Sequence, residues 1–213
     1  MDMEFSHYSV MREQCIDALN INPRGVYVDC TLGGGGHSEE IVKRLEGGLL
    51  IGIDRDADAI SAASKRLEKY KASVRLVHAN FKDIKTAVSE AGADKVNGVL
   101  FDLGVSSYQL DNAQRGFSYR FDAPLDMRMS REDRLSARDI VNGYSQDKLS
   151  KLIFEYGQER RASKITYYIC REREKAPIET TFQLNDVIKR AFPPNERYGE
   201  KHPSKRTYQA LRI

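Results

Sequence analysis

The sequence predicts an α/β fold, with a parallel, doubly wound sheet in the first hundred residues and a smaller helical domain after it. Three observations predict this. Short β-rich runs alternate with helical patterns as far as residue 103, the arrangement of βαβ units. Four consecutive glycines fall between the first run and the first helical pattern. From residue 132 onward only helical periodicity continues, with no further strand signal.

The expected strands are 26–30, 49–53, 74–78 and 96–103, and the expected helices between them are 37–45, 57–70 and 83–91. In the second helix Ile60, Ala63 and Leu67 recur at helical spacing. Asp56 is placed to cap that helix and Asp83 the next. The crossovers between parallel strands are expected to be right-handed. Residues 104–131 read as an irregular loop rich in Ser, Asp and Arg, and so long a loop is usually functional. Helices are then expected at 136–142, 146–156, 159–175 and 181–191, with another opening after Pro203. Leu149, Leu152, Ile153 and Tyr156 form an i, i+3, i+4, i+7 stripe, which marks a face packed on a core.

Composition narrows the function. No apolar run approaches the roughly eighteen residues a membrane span needs, and the first twenty residues lack the apolar stretch of a signal peptide. A cytoplasmic protein is expected. Cys15, Cys30 and Cys170 are odd in number and widely spaced, which argues against a disulfide framework or a zinc site. His7, His37, His78 and His202 show no metal-ligand spacing either. The net charge of +3 hides an asymmetry: residues 1–103 hold 13 basic and 16 acidic side chains, residues 104–213 hold 21 and 15. A basic second half is suited to a polyanion, although solvated helix faces would give the same count.

Four strand ends carry candidate chemistry. Asp29-Cys-Thr-Leu-Gly-Gly-Gly-Gly-His37-Ser38 joins the first strand to a helix. Glycine lets a ligand approach the backbone, and the helix start offers free N–H groups. The run is not a G-x-G-x-x-G fingerprint, because Ser38 stands where the last glycine would fall. Asp54 ends the second strand about twenty residues beyond the glycines, where a carboxylate accepts ribose hydroxyls in nucleotide-binding sheets. Phe81, after the third strand, suits either an adenine cover or the core. Asp102 ends the fourth strand, where ligands of open α/β sheets bind.

With these motifs in place, the chain resembles the ribosomal RNA small-subunit methyltransferase H family, S-adenosylmethionine-dependent enzymes that methylate N4 of a cytidine in the decoding region of 16S rRNA. The resemblance is carried by residues 7–10, 29–38, 53–56, D-L-G-V-S-S at 102–107, 109–111, R-G-F-S at 115–118, P-L-D-M-R-M at 124–129, Tyr156-Gly157-x-Glu159 and H-P-x-x-R-T at 202–207. Tyr108 departs from it, standing where many members have proline, and Cys30 and Leu32 are lesser departures.

The resemblance implies a class I S-adenosylmethionine-dependent methyltransferase fold, Rossmann-like, with an inserted helical substrate-recognition domain. The implied division is 1–108, 109–200 and a return beginning at 201–213. It implies cofactor contacts from Gly34, Gly35, Gly36, His37, Asp54, Phe81, Asp102 and Gln109. It implies 16S rRNA in the small ribosomal subunit as substrate. Asp102 is then the first choice of proton acceptor for the cytosine amine, by loose analogy with amine methyltransferases that carry D/N-P-P-Y/F. No aromatic follows D-L-G-V, so Tyr108, Phe117 or Tyr119 is expected to stack on the base, and Arg115, Arg120, Arg128 and Arg131 to meet phosphates. The resemblance also implies further chain beyond residue 213 that completes the sheet, so the fold is expected to be incomplete here. An uncovered edge at 96–103 would favour a homodimer unless that further chain covers it. A small-molecule methyltransferase of the same fold and a non-catalytic RNA-binding module remain open alternatives.

Overall fold

The computed structural model describes residues 11–198 and 202–212, the side chain of Ser107 excepted. The motif at 7–10 lies outside the described residues. The chain divides into two compact units, 1–106 and 107–213.

The first unit opens with a short helix, α1 (Arg12–Ala18), and alternates strand and helix from there: β1 (Val26–Asp29), α2 (Gly36–Val42), β2 (Leu49–Asp54), α3 (Ala57–Leu67), β3 (Val74–His78), α4 (Ile84–Glu90) and β4 (Gly98–Leu100). Among the described residues of this unit the strand pairings are parallel, in the order β3-β2-β1-β4. This is the expected α/β class. Side-chain alternation splits the core between the two sheet faces. Tyr27 and Leu50 pack with Ile16, Ile41, Ala63 and Leu67 from α1, α2 and α3. Val28 and Ile51 pack on the other side with Ala87 and Val88 of α4. Burial on both faces is what a parallel sheet requires, and it explains why these strands read as continuous apolar runs.

Three details differ from expectation. The fourth strand is short, covering only Gly98–Leu100 of the expected 96–103. Among the described residues its partner is β1, itself four residues long, and the ladder ends where β1 turns into the glycine loop. Val99, Phe101 and Leu103 are correspondingly exposed. Asp56 caps α3 as expected, accepting the Asp58 N–H at 3.1 Å. Asp83 makes no side-chain cap for α4; a 3-10 turn, Phe81–Asp83, precedes that helix, and Asn80 caps the turn through the Lys82 N–H at 3.0 Å. α3 stops at Leu67, and the rest of its expected length, with the residues leading into β3, is a 3-10 segment, Glu68–Ser73.

The second unit holds α5 (Ser107–Asp111), α6 (Ala137–Gly143), α7 (Gln146–Gly157), α8 (Ala162–Arg173), α9 (Thr181–Lys189) and α10 (Lys205–Leu211). Capping boxes start α6 and α9: Ser136 with Asp139, and Thr180 with Gln183. α8 begins at Ala162 rather than 159, because Glu159 turns its buried carboxylate onto the Arg161 N–H at 2.9 Å. The α7 stripe is half right. Leu149 and Ile153 are fully buried, but Tyr156 is 50% exposed. The buried row instead runs 149, 153, 157 and ends on glycine. A Cβ at Gly157 would sit 2.5 Å from the Arg206 carbonyl, so α7 and α10 approach closer there than any side chain permits.

The long loop before α6 is ordered. Leu125 N–H donates to Glu179 O, Thr181 N–H to Ala123 O, and the Thr181 hydroxyl to Phe121 O at 2.6 Å. Among the described residues no helix is long and apolar enough to cross a membrane.

Candidate functional site

The strand order places a topological switch point between β1 and β4. The chain moves outward from β1 through β2 to β3, then returns across the sheet to lay β4 on the other side of β1. Crevices for ligands form outside the carboxyl ends of strands at such points. The glycine loop leaves β1 there, and Asp102 follows β4.

The loop is held from beneath. Asp54, at the end of β2, accepts the Gly33 N–H at 2.8 Å through Oδ2 and the Asp56 N–H at 2.9 Å through Oδ1. Leu32 N–H donates to Ile53 O. Gly33 (φ 49°) and Gly35 (φ 77°) adopt left-handed backbone, which side chains resist, and Gly35 is the N-cap of α2. Gly34 lies between them and Gly36 begins the helix. Burial raises the Asp54 carboxyl above its ordinary pKa, against the N–H groups of Asp56 and Gly33 that pull it down. Each oxygen accepts one of these bonds, and a carboxylate oxygen can accept a second.

Asp29 is the strand-end acid whose role spacing alone did not reveal. It is 1% exposed, accepts the Ser38 hydroxyl at 2.8 Å and the Thr31 N–H at 3.1 Å, and so braces the loop from inside. Thr31 Oγ1 in turn accepts the Asp102 N–H at 2.7 Å, tying the ends of β1 and β4. The signal for Asp29 was its position immediately before the glycine loop; for Thr31 the sequence held none. Burial, with Asp29 alongside, pushes the Cys30 thiol to about 11, so it stays a neutral core side chain.

Burial also raises the Asp29 carboxyl above 3.8, more than the Ser38 and Thr31 hydrogen bonds lower it. A raised carboxyl binds its proton more tightly in the folded state. Its contribution is therefore fully present below the unfolded pKa and is lost as pH rises through the folded one. Asp29→Asn removes that loss. Its melting temperature relative to wild type should be more favourable at pH 7 than at pH 4. Thermal melts at the two pH values check this, and a constant difference would contradict it.

The other first-unit candidates gather around this loop. His37 is buried on the first turn of α2, with Nδ1 4.0 Å from Asp102 Oδ2, too long for a hydrogen bond. The Asp102 side chain is half exposed. Phe81 is 41% exposed rather than core, its ring edge-on to Phe101 at 5.8 Å. Gln109 belongs to the second unit, buried on α5.

The second-unit candidates sort differently from expectation. Phe117 is 0% exposed, a core side chain that stacks on no base. Arg115 is buried and donates to the carbonyls of Arg128 and Met129, both at 3.0 Å. Arg128 grips Asp126 with Nε at 2.7 Å and Nη2 at 2.9 Å, and also donates to the carbonyls of Arg131 and Asp133. These two arginines fasten the loop rather than offer themselves to phosphates. Arg120 and Arg131 are exposed, and Tyr108 and Tyr119 are partly buried.

The MraW methylase family model matches residues 4–213. Ribosomal RNA small subunit methyltransferase H of Clostridioides difficile (strain 630) is 55% identical over 212 residues, which cover 99% of this chain and 68% of that protein. The protein of the same name from Lachnospira eligens is 53% identical over 212 residues, 99% of this chain and 67% of its own. That of Ruminiclostridium cellulolyticum is 51% identical over 214 residues, 99% of this chain and 68% of its own.

Proposed function

The chain belongs to the MraW methylase family, and from that premise we propose that it methylates N4 of a cytidine in the decoding region of 16S rRNA, acting in the cytoplasm on the small ribosomal subunit. The methyl donor is S-adenosylmethionine, whose sulfonium supplies an already activated methyl. The observation that carries the reading is the switch point, with a glycine loop leaving β1 on one side and Asp102 following β4 on the other.

The residues present fit the donor. The left-handed glycines leave the loop backbone bare of side chains on approach, and of the about four acceptor positions of the Asp54 carboxylate one remains for a ribose hydroxyl beside the backbone N–H groups of Gly33, Arg55 and Asp56. Gly34, Gly35, Gly36, His37, Asp54 and Phe81 would hold it, with Phe81 covering the adenine. The cytosine amine is a poor nucleophile because its lone pair is delocalised into the ring. Asp102 accepts an N4 hydrogen, which frees that lone pair, and takes the proton as the bond forms. In-line placement of the amine does the rest.

Asp54→Ala should weaken donor binding by about 1–3 kcal/mol, the worth of hydrogen bonds to a charged acceptor. Part of that loss comes through the Gly33 N–H it no longer holds. Calorimetry with S-adenosylmethionine measures it, and unchanged affinity removes Asp54 from the site. The function itself is tested by mass mapping of small-subunit rRNA after incubation with the protein and labelled donor. Label on a cytidine N4 is expected; label on another atom, or none, overturns the reading.

A further inference from the structure

The ladder between β1 and β4 ends at Asp29 and Leu100, with the Cys30 N–H donating to the Leu100 carbonyl at 2.9 Å. Beyond it the chain leaves β1. Phe101 and Leu103 are 49% and 70% exposed, and Gly104 takes φ 148°. Asp102 stands in this stretch, past the last rung of the ladder. Among the described residues, the hydrogen bond that holds 101–104 is the one from the Asp102 N–H to Thr31 Oγ1, at 2.7 Å. A side chain just after β1 thus supplies a rung that the backbone no longer makes.

Thr31 is itself fixed from the other side. Its N–H donates to Asp29 Oδ1 at 3.1 Å, and Asp29 Oδ2 accepts the Ser38 hydroxyl at 2.8 Å. Asp29 is 1% exposed and Ser38 is fully buried. Ser38 lies on the first turn of α2, and the glycine loop runs between it and Thr31. A chain of hydrogen bonds therefore leads from the start of α2 through Asp29 and Thr31 to Asp102. Thr31 is the residue on it that meets both the brace of the glycine loop and the segment bearing Asp102. Threonine suits this place, because its β-branch leaves χ1 little freedom and so keeps the hydroxyl aimed.

We propose that Thr31 is a positioning residue for methyl transfer: its hydroxyl sets the distance between the proton acceptor Asp102 and the loop that holds the methyl donor. The inference rests on the reading of Asp102 as that acceptor. Thr31 acts through the Asp102 backbone. In-line transfer tolerates little error, and a displacement of about 1 Å costs roughly 10²-fold in rate. Without the hydroxyl, Asp102 hangs on an exposed stretch that no other described hydrogen bond holds, and its carboxylate spends most of its time away from the amine.

The test compares Thr31→Val, which keeps the β-branch but not the hydroxyl, with Thr31→Ser, which keeps the hydroxyl. Single-turnover methyl transfer to small ribosomal subunits and equilibrium dialysis of labelled S-adenosylmethionine are measured on each. Thr31→Val should lose about 10²-fold in rate at unchanged donor affinity, and Thr31→Ser should recover most of that loss. The deciding readout is the same valine substitution in an Asp102→Ala protein. There it should cost nothing further, because the group that Thr31 positions is gone, whereas a loosened fold slows both backgrounds alike. If Asp102→Ala is slow but Thr31→Val runs at the wild-type rate, or loses equally in both backgrounds, the inference fails and the enzyme reading stands. Asp102→Ala at the wild-type rate removes the acceptor, and the inference with it. A wild type that transfers no methyl overturns the enzyme reading and the role of Thr31 together. Amide exchange followed by NMR on the wild-type protein depends on no variant folding and on no substrate. The Asp102 N–H should exchange more slowly than those of Phe101 and Leu103 on either side; equal rates overturn the inference.

Discussion

Asp102→Ala is expected to lower the rate of methyl transfer by about 10²–10⁴, the usual worth of a positioned proton acceptor, while donor affinity stays near that of wild type. The geometry allows the two effects to separate. The Asp102 side chain is 51% exposed, and its carboxylate approaches His37 Nδ1 only to 4.0 Å, beyond hydrogen-bond reach. What anchors the residue is its backbone N–H, held by Thr31 Oγ1 at 2.7 Å. Truncating the side chain leaves that anchor, the glycine loop and Asp54 in place. Asp102→Asn keeps a hydrogen-bond acceptor but no base, so its rate should fall between wild type and alanine. Single-turnover rates on small subunits, together with equilibrium dialysis of the labelled donor, measure both quantities. Turnover at the wild-type rate in Asp102→Ala would take the carboxylate out of the mechanism and shift attention to a backbone carbonyl.

The candidate site was legible where function depends on chain position. Strands buried on both faces announce themselves as short apolar runs, and strand ends follow from them, so the positions of Asp54 at the end of β2 and of Asp102 just beyond β4 could be read from the pattern. The helices that escaped notice are those with little to bury. α1 hides a single residue, Ile16, and α5 is five residues long. The fourth strand was drawn too long because Val99, Phe101 and Leu103 look like core residues, yet they are exposed. Apolar content marks what a strand is able to bury, and pairing decides how far it runs.

The second unit was harder to read for a related reason. A loop rich in Arg and Ser resembles a solvated surface, and nothing local in R-G-F-S says that it folds inward. What turns it inward is distant: the 121–125 stretch hydrogen-bonds to Glu179 and Thr181, some sixty residues on, through contacts no periodicity records. The setting of Tyr119 is equally non-local: its carbonyl accepts from Asn185 Nδ2, and its ring stacks on His202. It joins the loop to α9 and His202, so Asn185 carried no signal, while Tyr119 and Arg120 stood out only by type.

That inward loop gives Arg115→Ala a large effect of an unexpected kind. Arg115 is 3% exposed, and one guanidinium nitrogen serves the carbonyls of both Arg128 and Met129 at 3.0 Å. Its charge also lies 5.7 Å from the centre of the buried Phe117 ring. Alanine would strand the two carbonyls and open a void beside Phe117. Each unpaired buried group costs about 1–3 kcal/mol, so with two of them the second unit should lose roughly 2–6 kcal/mol. For a unit of this size, that is a fall in melting temperature of about 10 °C or more. Arg120→Ala is the contrasting case. That side chain is exposed, so the fold should be indifferent while the salt dependence of RNA binding drops by about one phosphate contact. Calorimetric melts and salt titrations of RNA affinity on the two variants distinguish a brace from a phosphate ligand. An Arg115→Ala protein that melts with wild type but binds RNA more weakly would return Arg115 to the role its composition first suggested.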